Sequence, residues 1–162
     1  MSKIKLSILL LISSLIFSCA NNQINYSDQK YSMAYIGGEY DGLLLKNYLQ
    51  SSLKNLDIYD QNSKFRIQAT INHSSNLFIT NTDNTSDREK ISTTLYVTIQ
   101  DLENNCQVYD DEINVSQFYV YASSDKFLSN QKAVKEIKKN NTEATVKQLI
   151  NELLVNRDKC DE

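Results

Sequence analysis

Residue types that most often carry catalysis are sparse in this 162-residue chain. His73 is the only histidine, so a zinc site would lack its usual set of ligands. Ser74 and Ser75 follow it directly, but neighbouring residues of a strand point to opposite faces, and activating a hydroxyl needs a base and an orienting group. The sequence therefore predicts that His73 is a polar residue partway along a strand, that the protein is not an enzyme, and that it needs no cofactor.

Two further motifs have the composition of ligand sites but not the spacing. Gly37-Gly38 lacks the third glycine and the Lys-Ser/Thr pair of a phosphate-binding loop. Asp110, Asp111 and Glu112 could bind a hard cation, but calcium loops place their oxygen ligands at alternating positions. We predict that the glycine pair is not a phosphate-binding loop and that the acidic triplet holds no metal, and we expect the triplet to be a strand bulge or a solvent-exposed strand segment.

The start of the chain carries chemistry of another kind. Lys3 and Lys5 precede an uncharged apolar run, Leu6 to Phe17, which is shorter than the about 20 residues of a membrane-spanning helix. A basic start, a short apolar run and a small residue are typical of a secretory signal peptide. Ser18 followed by Cys19 completes the pattern of a bacterial lipoprotein signal. We expect cleavage before Cys19, with a diacylglycerol on its thiol and an acyl group on its new amine; the alternative is an ordinary signal peptide with a chance cysteine.

Processing at Cys19 would define the organisation of the chain. Several acyl chains hold a protein stably at a membrane, and Ala20, rather than an aspartate, favours the outer membrane. Losing two lysines from 17 basic residues, against 20 acidic ones, changes the net charge from −3 to −5. A net acidic domain is a poor nucleic-acid binder. The predicted segments are a signal peptide (1–18), a lipidated polar tether (19–29), a single domain (30–155) and a C-terminal tail (156–162).

Cys106 and Cys160 are the two remaining cysteines. In an exported protein they could form a disulfide. Cys106 lies in a predicted turn and Cys160 near a polar tail, so the sequence leaves both the paired and the free state open.

The elements that would position these residues follow from hydrophobic periodicity. A short strand ends at Gly37-Gly38, a strong breaker of regular structure. A helix follows, with Asp41 as its predicted N-cap and one apolar face of leucines. Three strands with a period of two come next, separated by polar turns at 80–87 and 103–105. The leucines of that apolar face are Leu45, Leu49, Leu53 and Leu56.

The C-terminal part of the chain has helical spacing of apolar residues. A polar segment, 138–141, lies between two halves of this stripe and is either the solvated face of one long helix or a break. The predicted fold is α+β, with the order β-α-β-β-β-α and a mixed four-stranded sheet carrying two helices on one face. The helical segment begins at Ser129, and its stripe consists of Ala133, Ile137, Ala144, Ile150 and Leu153, with Val146 and Leu149 beside it.

Tyrosine is the commonest aromatic residue, with ten tyrosines, five phenylalanines and no tryptophan. Tyr96, Tyr109, Tyr119 and Tyr121 fall on predicted strands. They either pack on the sheet with hydroxyls at its rim or form an interface, where tyrosine is enriched.

Three stretches of the sequence resemble a known family. In order, "YIGGEYDGLLLKNYLQSSL", "NTSDREKISTTLYVTIQDLENNCQVYDDEI" and "YASSDKFLSNQKAVKEIKKNNTEATVKQLINELL" are similar to the lipopolysaccharide-assembly lipoprotein LptE, of the alphaproteobacterial type. The resemblance covers about residues 35–155. It implies a lipoprotein on the periplasmic face of the outer membrane that plugs the LptD β-barrel, assists its assembly and helps deliver lipopolysaccharide to the cell surface.

The resemblance also implies a site. Family members can bind lipopolysaccharide through basic residues near strand-end loops, and the matching positions in this chain are Arg88 and Lys90, beside the "TSDREK" turn. A guanidinium can form paired, charge-assisted hydrogen bonds to lipid phosphates. On the following strand, where a further basic residue would be expected, this chain has the acidic triplet Asp110 to Glu112. The alternative function is a lipid-anchored periplasmic binding module that regulates another envelope protein.

Overall fold

Six elements make up the part of the chain that this computed structural model describes, which is residues 29–79, 87–120, 126–155 and 160. The predicted α+β class and the order β-α-β-β-β-α are confirmed. The predicted signal peptide, Cys19 and most of the predicted tether lie outside the described residues. The elements are β1 (Tyr31–Gly37), α1 (Glu39–Asn55), β2 (Phe65–Ile79), β3 (Asp87–Asp101), β4 (Cys106–Val120) and α2 (Phe127–Val155).

The sheet has the strand order β1-β2-β3-β4. β1 is parallel to β2, and the other two pairs are antiparallel, so the predicted mixed sheet is confirmed. The register of β1 ends where Gly37 pairs with Thr70, and the three longer strands continue past this point. We call the part of the sheet that β1 accompanies the base half. The continuation, which comprises 72–79, 87–94 and 114–120, is the tip half.

Helix α1 packs its leucines on the base half, as its periodicity predicts. Leu45, Leu49 and Leu53 are fully buried. Its predicted N-cap is wrong, because the helix begins at Glu39 and its N-cap is Gly38, with no side-chain cap hydrogen bond. Gly38 has φ 114°, and a Cβ there would lie 2.6 Å from the carbonyl oxygen of Ile71. Only glycine adopts this conformation at little cost, so the chain turns earlier than a capping side chain at Asp41 would allow.

Helix α2 is continuous over 29 residues, so its polar middle is not a break. The helix begins at Phe127, two residues before the predicted start, and the predicted stripe missed three polar residues, Asn141, Thr142 and Thr145, that are buried. The Asn141 side-chain amide donates to the carbonyl of Ile91 at 3.2 Å. The two threonine hydroxyls donate to carbonyls of their own helix. These bonds offset part of the cost of burying polar groups, and hydrophobic periodicity cannot detect them.

In the part of the chain that the structure describes, a hydrophobic core lies between the sheet and the two helices. At the base, Cys106 and Cys160 form a disulfide with a Cα–Cα distance of 5.9 Å, a usual distance for such a bond. The bond joins the start of β4 to the segment after α2. Within the described ranges, neither helix is both long and apolar enough to cross a membrane. The buried strand residues of the core include Ile67, Ala69, Ile71, Leu95, Val97, Ile99 and Ile113.

Candidate functional site

The two faces of the sheet differ in what covers them. One face carries the core and both helices, and we call it the helix face. The opposite face, which we call the open face, presents the even-numbered residues of β2, β3 and, from Asp110 onward, β4. None of these side chains is buried. In the base half and the middle of the sheet they are mainly serine, threonine, asparagine, glutamine and acidic residues.

At the tip half, the open face changes to basic and aromatic side chains. Across the strands, Arg88 pairs with Phe78 and Val120, and Lys90 pairs with Phe118. The rings of Phe78 and Phe118 are 5.9 Å apart, and the Lys90 Nζ lies 5.8 Å from the centroid of the Phe118 ring. Phe118 is nevertheless 58% exposed. We call these five residues the tip cluster.

The positive charge of the tip cluster is not compensated by described carboxylates. None of the ion pairs among the described residues involves Arg88 or Lys90. Exposed aromatic rings beside a guanidinium and an ammonium suit a ligand with both an anionic group and apolar surface. The structure thus places the two predicted basic residues on one face, two positions apart on β3, with an apolar surface between and beside them.

The acidic triplet does not oppose this site. Asp110, Asp111 and Glu112 pair with Thr98, Val97 and Tyr96, so Glu112 lies six residues from Lys90 along β3. That spacing corresponds to about 20 Å. All three acidic residues are exposed, as expected for a solvent-exposed strand segment. The predicted bulge at the triplet is wrong, since the register shift lies between Ile99 and Gln100, opposite the first part of β4.

His73 lies within β2, as predicted, and its side chain is almost fully buried on the helix face. Its Nδ1 is 2.7 Å from the Thr93 hydroxyl, and its Nε2 is 3.4 Å from a carboxylate oxygen of Asp41. Burial lowers the pKa of His73 below its ordinary value; Asp41 opposes this shift and Lys138 adds to it. In the described ranges, no three His, Cys, Asp or Glu residues are placed to hold a metal ion.

Two of the four singled-out tyrosines pack on the helix face. The Tyr109 hydroxyl donates to Glu152, and the Tyr119 hydroxyl donates to Glu89. Tyr96 is 47% exposed and lies on the open face. Tyr121 is outside the described residues. The packing interpretation therefore holds for two of them, and among the described three Tyr96 alone presents its ring on the open face.

Sequence reasoning missed a groove on the helix face at the tip half, with a volume of about 1170 Å³. The first two turns of α1 and the first half of α2 form its walls, and Glu89 and Tyr119 reach it from the sheet. A sequence signal did exist, since lysines recur every three residues from Lys132 to Lys138. The residues lining the groove come from four separate elements, however, so periodicity within one helix could not reveal it.

Comparison with known proteins shows similarity of fold. No protein-family model matches this sequence, and no curated protein matches it. The solved minor lipoprotein of Acinetobacter baumannii is 13% identical with a TM-score of 0.61, over 83% of this chain and 96% of that one. An uncharacterized lipoprotein B from Nitrosomonas europaea is 10% identical with a TM-score of 0.60, over 78% and 83%.

A third solved structure carries a more specific name. The rare lipoprotein B of Shewanella oneidensis is 7% identical to this chain with a TM-score of 0.53, over 76% of this chain and 95% of its own. At such low identity the likeness establishes the fold alone. The fold of this chain is thus one found in envelope lipoproteins of Gram-negative bacteria.

Proposed function

We propose that this protein is a non-enzymatic outer-membrane lipoprotein of lipopolysaccharide assembly. In this role it plugs an LptD-type β-barrel, assists its assembly and helps pass lipopolysaccharide to the cell surface. The resemblance of the three sequence stretches to LptE supports the proposal, as do structural neighbours that are themselves lipoproteins. The observation that carries it is the tip cluster, because uncompensated basic residues beside exposed aromatic rings fit a phosphorylated lipid.

The position of the tip cluster also supports this role. The tether would join the domain just before Tyr31, which pairs with Phe65 at the base end of β2. Phe78 lies thirteen residues further along the same strand, a distance of about 40 Å. A lipid anchor at one end and a lipid-binding surface at the other would let the protein remain attached to the membrane while its tip contacts a partner or substrate.

Within this proposal Arg88 and Lys90 have a defined task. Arg88 would hold a phosphate of lipopolysaccharide through two parallel hydrogen bonds, and Lys90 would add a second positive charge beside it. Phe78, Phe118 and Val120 would contact apolar parts of the lipid or of the barrel wall.

Co-purification tests whether the protein associates with an LptD-type β-barrel. The lipidated protein, extracted from membranes with a mild detergent, is expected to bring down a large β-barrel protein in a stoichiometric complex. Isolation of the lipoprotein with a periplasmic enzyme and no barrel would instead support the regulatory binding module.

Metabolic labelling tests the anchor. Cys19→Ala is expected to abolish palmitate incorporation and to leave an uncleaved precursor, because the acylated thiol is missing. Cys160→Ala is the matched control. It removes a cysteine of the disulfide rather than the acylated one, so palmitate incorporation should persist. Persistent labelling of the Cys19→Ala protein would refute the lipoprotein assignment.

A further inference from the structure

The groove on the helix face carries an inference that goes beyond the proposed function. It lies on the opposite side of the sheet from the tip cluster, so neither Arg88 nor Lys90 lines it. We propose that this groove is a docking site for an acidic amphipathic helix of a partner protein.

The lengths of the two helices create the space. Ser52, Asn55 and Leu56 at the end of α1 lie across a small cleft from Lys147, Ile150 and Asn151 of α2. Both helices run from the tip side towards the base, and both rise about 1.5 Å per residue. The first residue of α1 is therefore level with about residue 135 of α2. The two turns of α2 before that point have no neighbouring helix among the described elements, and the groove opens beside them.

Apolar side chains line this space although solvent reaches them. Leu43 is 61% exposed, Phe127 57% and Leu128 78%, and all three border the groove. Leu77, on the helix face of β2, is also exposed. Apolar residues clustered around a concave surface, rather than scattered singly, are typical of an interaction site. A helix lying beside α2 would cover them with anchors spaced one turn apart.

The charge of the groove specifies the partner. Three carboxylates also line it: Glu136 pairs with Lys139, whereas Asp41, beside the buried His73, and Glu89, which accepts a hydrogen bond from Tyr119, keep their negative charge. Lys132, Lys135 and Lys138 also line the groove and make none of the ion pairs found among the described residues. Four lysines thus face three carboxylates in the groove, and the three lysines without an ion pair lie together along α2.

The arrangement of these lysines distinguishes a helix from a lipid headgroup. They follow one another every three residues, so their Cα atoms are spread over about 9 Å of the helix axis. A single phosphate is best held by donors that converge on one point. A line of ammonium groups instead matches a line of carboxylates, such as glutamates one turn apart on a partner helix.

Fluorescence anisotropy with synthetic peptides tests the proposal. The protein would be the full processed chain in phosphatidylcholine nanodiscs. The probe would be a labelled amphipathic peptide of about four helical turns, with leucines on one face and glutamates on the other. Its counterpart would carry lysines in place of the glutamates. We expect the acidic peptide to bind at least about tenfold more tightly than the basic one, with an affinity that falls as salt is added. Equal binding of the two peptides would overturn the proposal.

Two matched pairs of variants locate the binding. Lys135→Glu is expected to weaken binding of the acidic peptide about tenfold. Lys46→Glu, on an exposed part of α1 outside the groove, should leave this binding unchanged. Leu128→Ser should weaken binding several-fold, whereas Val155→Ser, equally exposed at the other end of α2, should not. All four side chains are exposed, so folding should be retained in each variant.

Phosphatidylglycerol vesicles provide the competing outcome. If Lys135→Glu reduced vesicle binding while wild type failed to bind the acidic peptide, the groove would be a lipid site and the proposal would be wrong. Arg88→Glu should leave peptide binding unchanged, which separates this inference from the proposed function of the tip cluster.

Discussion

The base half and the tip half of the sheet use the same three strands for different purposes. In the base half, both helices cover the helix face, and Ile67, Val97 and Ile99 are essentially inaccessible to solvent. In the tip half, only the first turns of α1 reach the helix face, Leu77 is exposed, and the open face carries basic and aromatic side chains. Stability is therefore concentrated at the base. The tip half is held by backbone pairing and by α2, whose Asn141 donates to the carbonyl of the buried Ile91, while its open-face side chains remain available for contacts.

A pair of leucine substitutions should show the largest difference in stability between the two halves. Leu49→Asp, in the base core, would bury a charge without a partner and should cost more than about 4 kcal/mol, a large part of the about 5–15 kcal/mol that stabilises a typical domain. Leu77→Asp, in the tip half, places its charge in solvent and should cost less than about 1 kcal/mol. Urea denaturation followed by circular dichroism measures both changes. Equal loss of stability in the two variants would show that the tip half has a core of its own.

The disulfide should give the next largest effect, since it fixes the base. Cys106 and Cys160 are 54 residues apart in sequence, and closing a loop of that size typically stabilises a protein by about 2–4 kcal/mol. A reductant should therefore lower the unfolding free energy of the wild type by that amount, which moves its urea midpoint down. Cys106→Ser should show the lower midpoint from the start and no further response to reductant. A wild-type midpoint indifferent to reductant would contradict the pairing.

His73 lies where the two halves meet and should contribute a smaller, pH-dependent effect. Burial lowers its pKa in the folded state below 6.5, so the unfolded chain binds the proton more readily. The contribution of His73 to the free energy of unfolding is therefore complete above about pH 6.5 and is lost as the pH falls below that value. The loss is at most about 1.4 kcal/mol between pH 7.5 and 5.5.

The charged groups facing His73 are Asp41 on α1 and Lys138 on α2. His73→Gln should remove only the histidine's share of the pH dependence. The difference in unfolding free energy between wild type and variant, measured at about pH 7.5 and 5.5, isolates that share. A difference that stays constant, or one that grows in favour of the wild type at low pH, would contradict a lowered pKa for His73 in the folded state.

How much of this structure the sequence predicts depends on the kind of interaction. Alternation of apolar residues predicts the strands, and leucine spacing predicts α1. In both cases the period of the apolar residues along the sequence determines which face of the element is buried. The start of α1 is not predicted, because the tight approach of Gly38 to Ile71 is a tertiary contact. Asn141 and the buried threonines of α2 are likewise missed, since their burial depends on hydrogen bonds to particular carbonyls.

The candidate site is predicted in part. Proximity to a turn and family resemblance single out Arg88 and Lys90, and the structure puts them on one face. Phe78 and Phe118 are far apart in sequence, so only the register of β2, β3 and β4 brings them beside the basic pair. The same register removes the expected conflict with the acidic triplet, which pairs with the middle of β3.

Charge reversal on the open face should have the smallest effect on stability and the most direct bearing on function. Arg88→Glu lies in the tip half, and Arg66→Glu is its matched control on the open face of the base half. Both side chains are exposed, so each substitution should change the unfolding free energy by less than about 0.5 kcal/mol. The two variants therefore differ in location while sharing the same change of charge.

Lipopolysaccharide capture by these two variants tests the central claim, that the tip cluster holds a lipid phosphate. Purified lipidated protein would be immobilised and the bound lipopolysaccharide quantified at several salt concentrations. We expect Arg88→Glu to lose most of the capture at all of them, because a carboxylate would face the phosphate, and Arg66→Glu to match the wild type. Undiminished capture by Arg88→Glu, or an equal loss in both variants, would contradict the account.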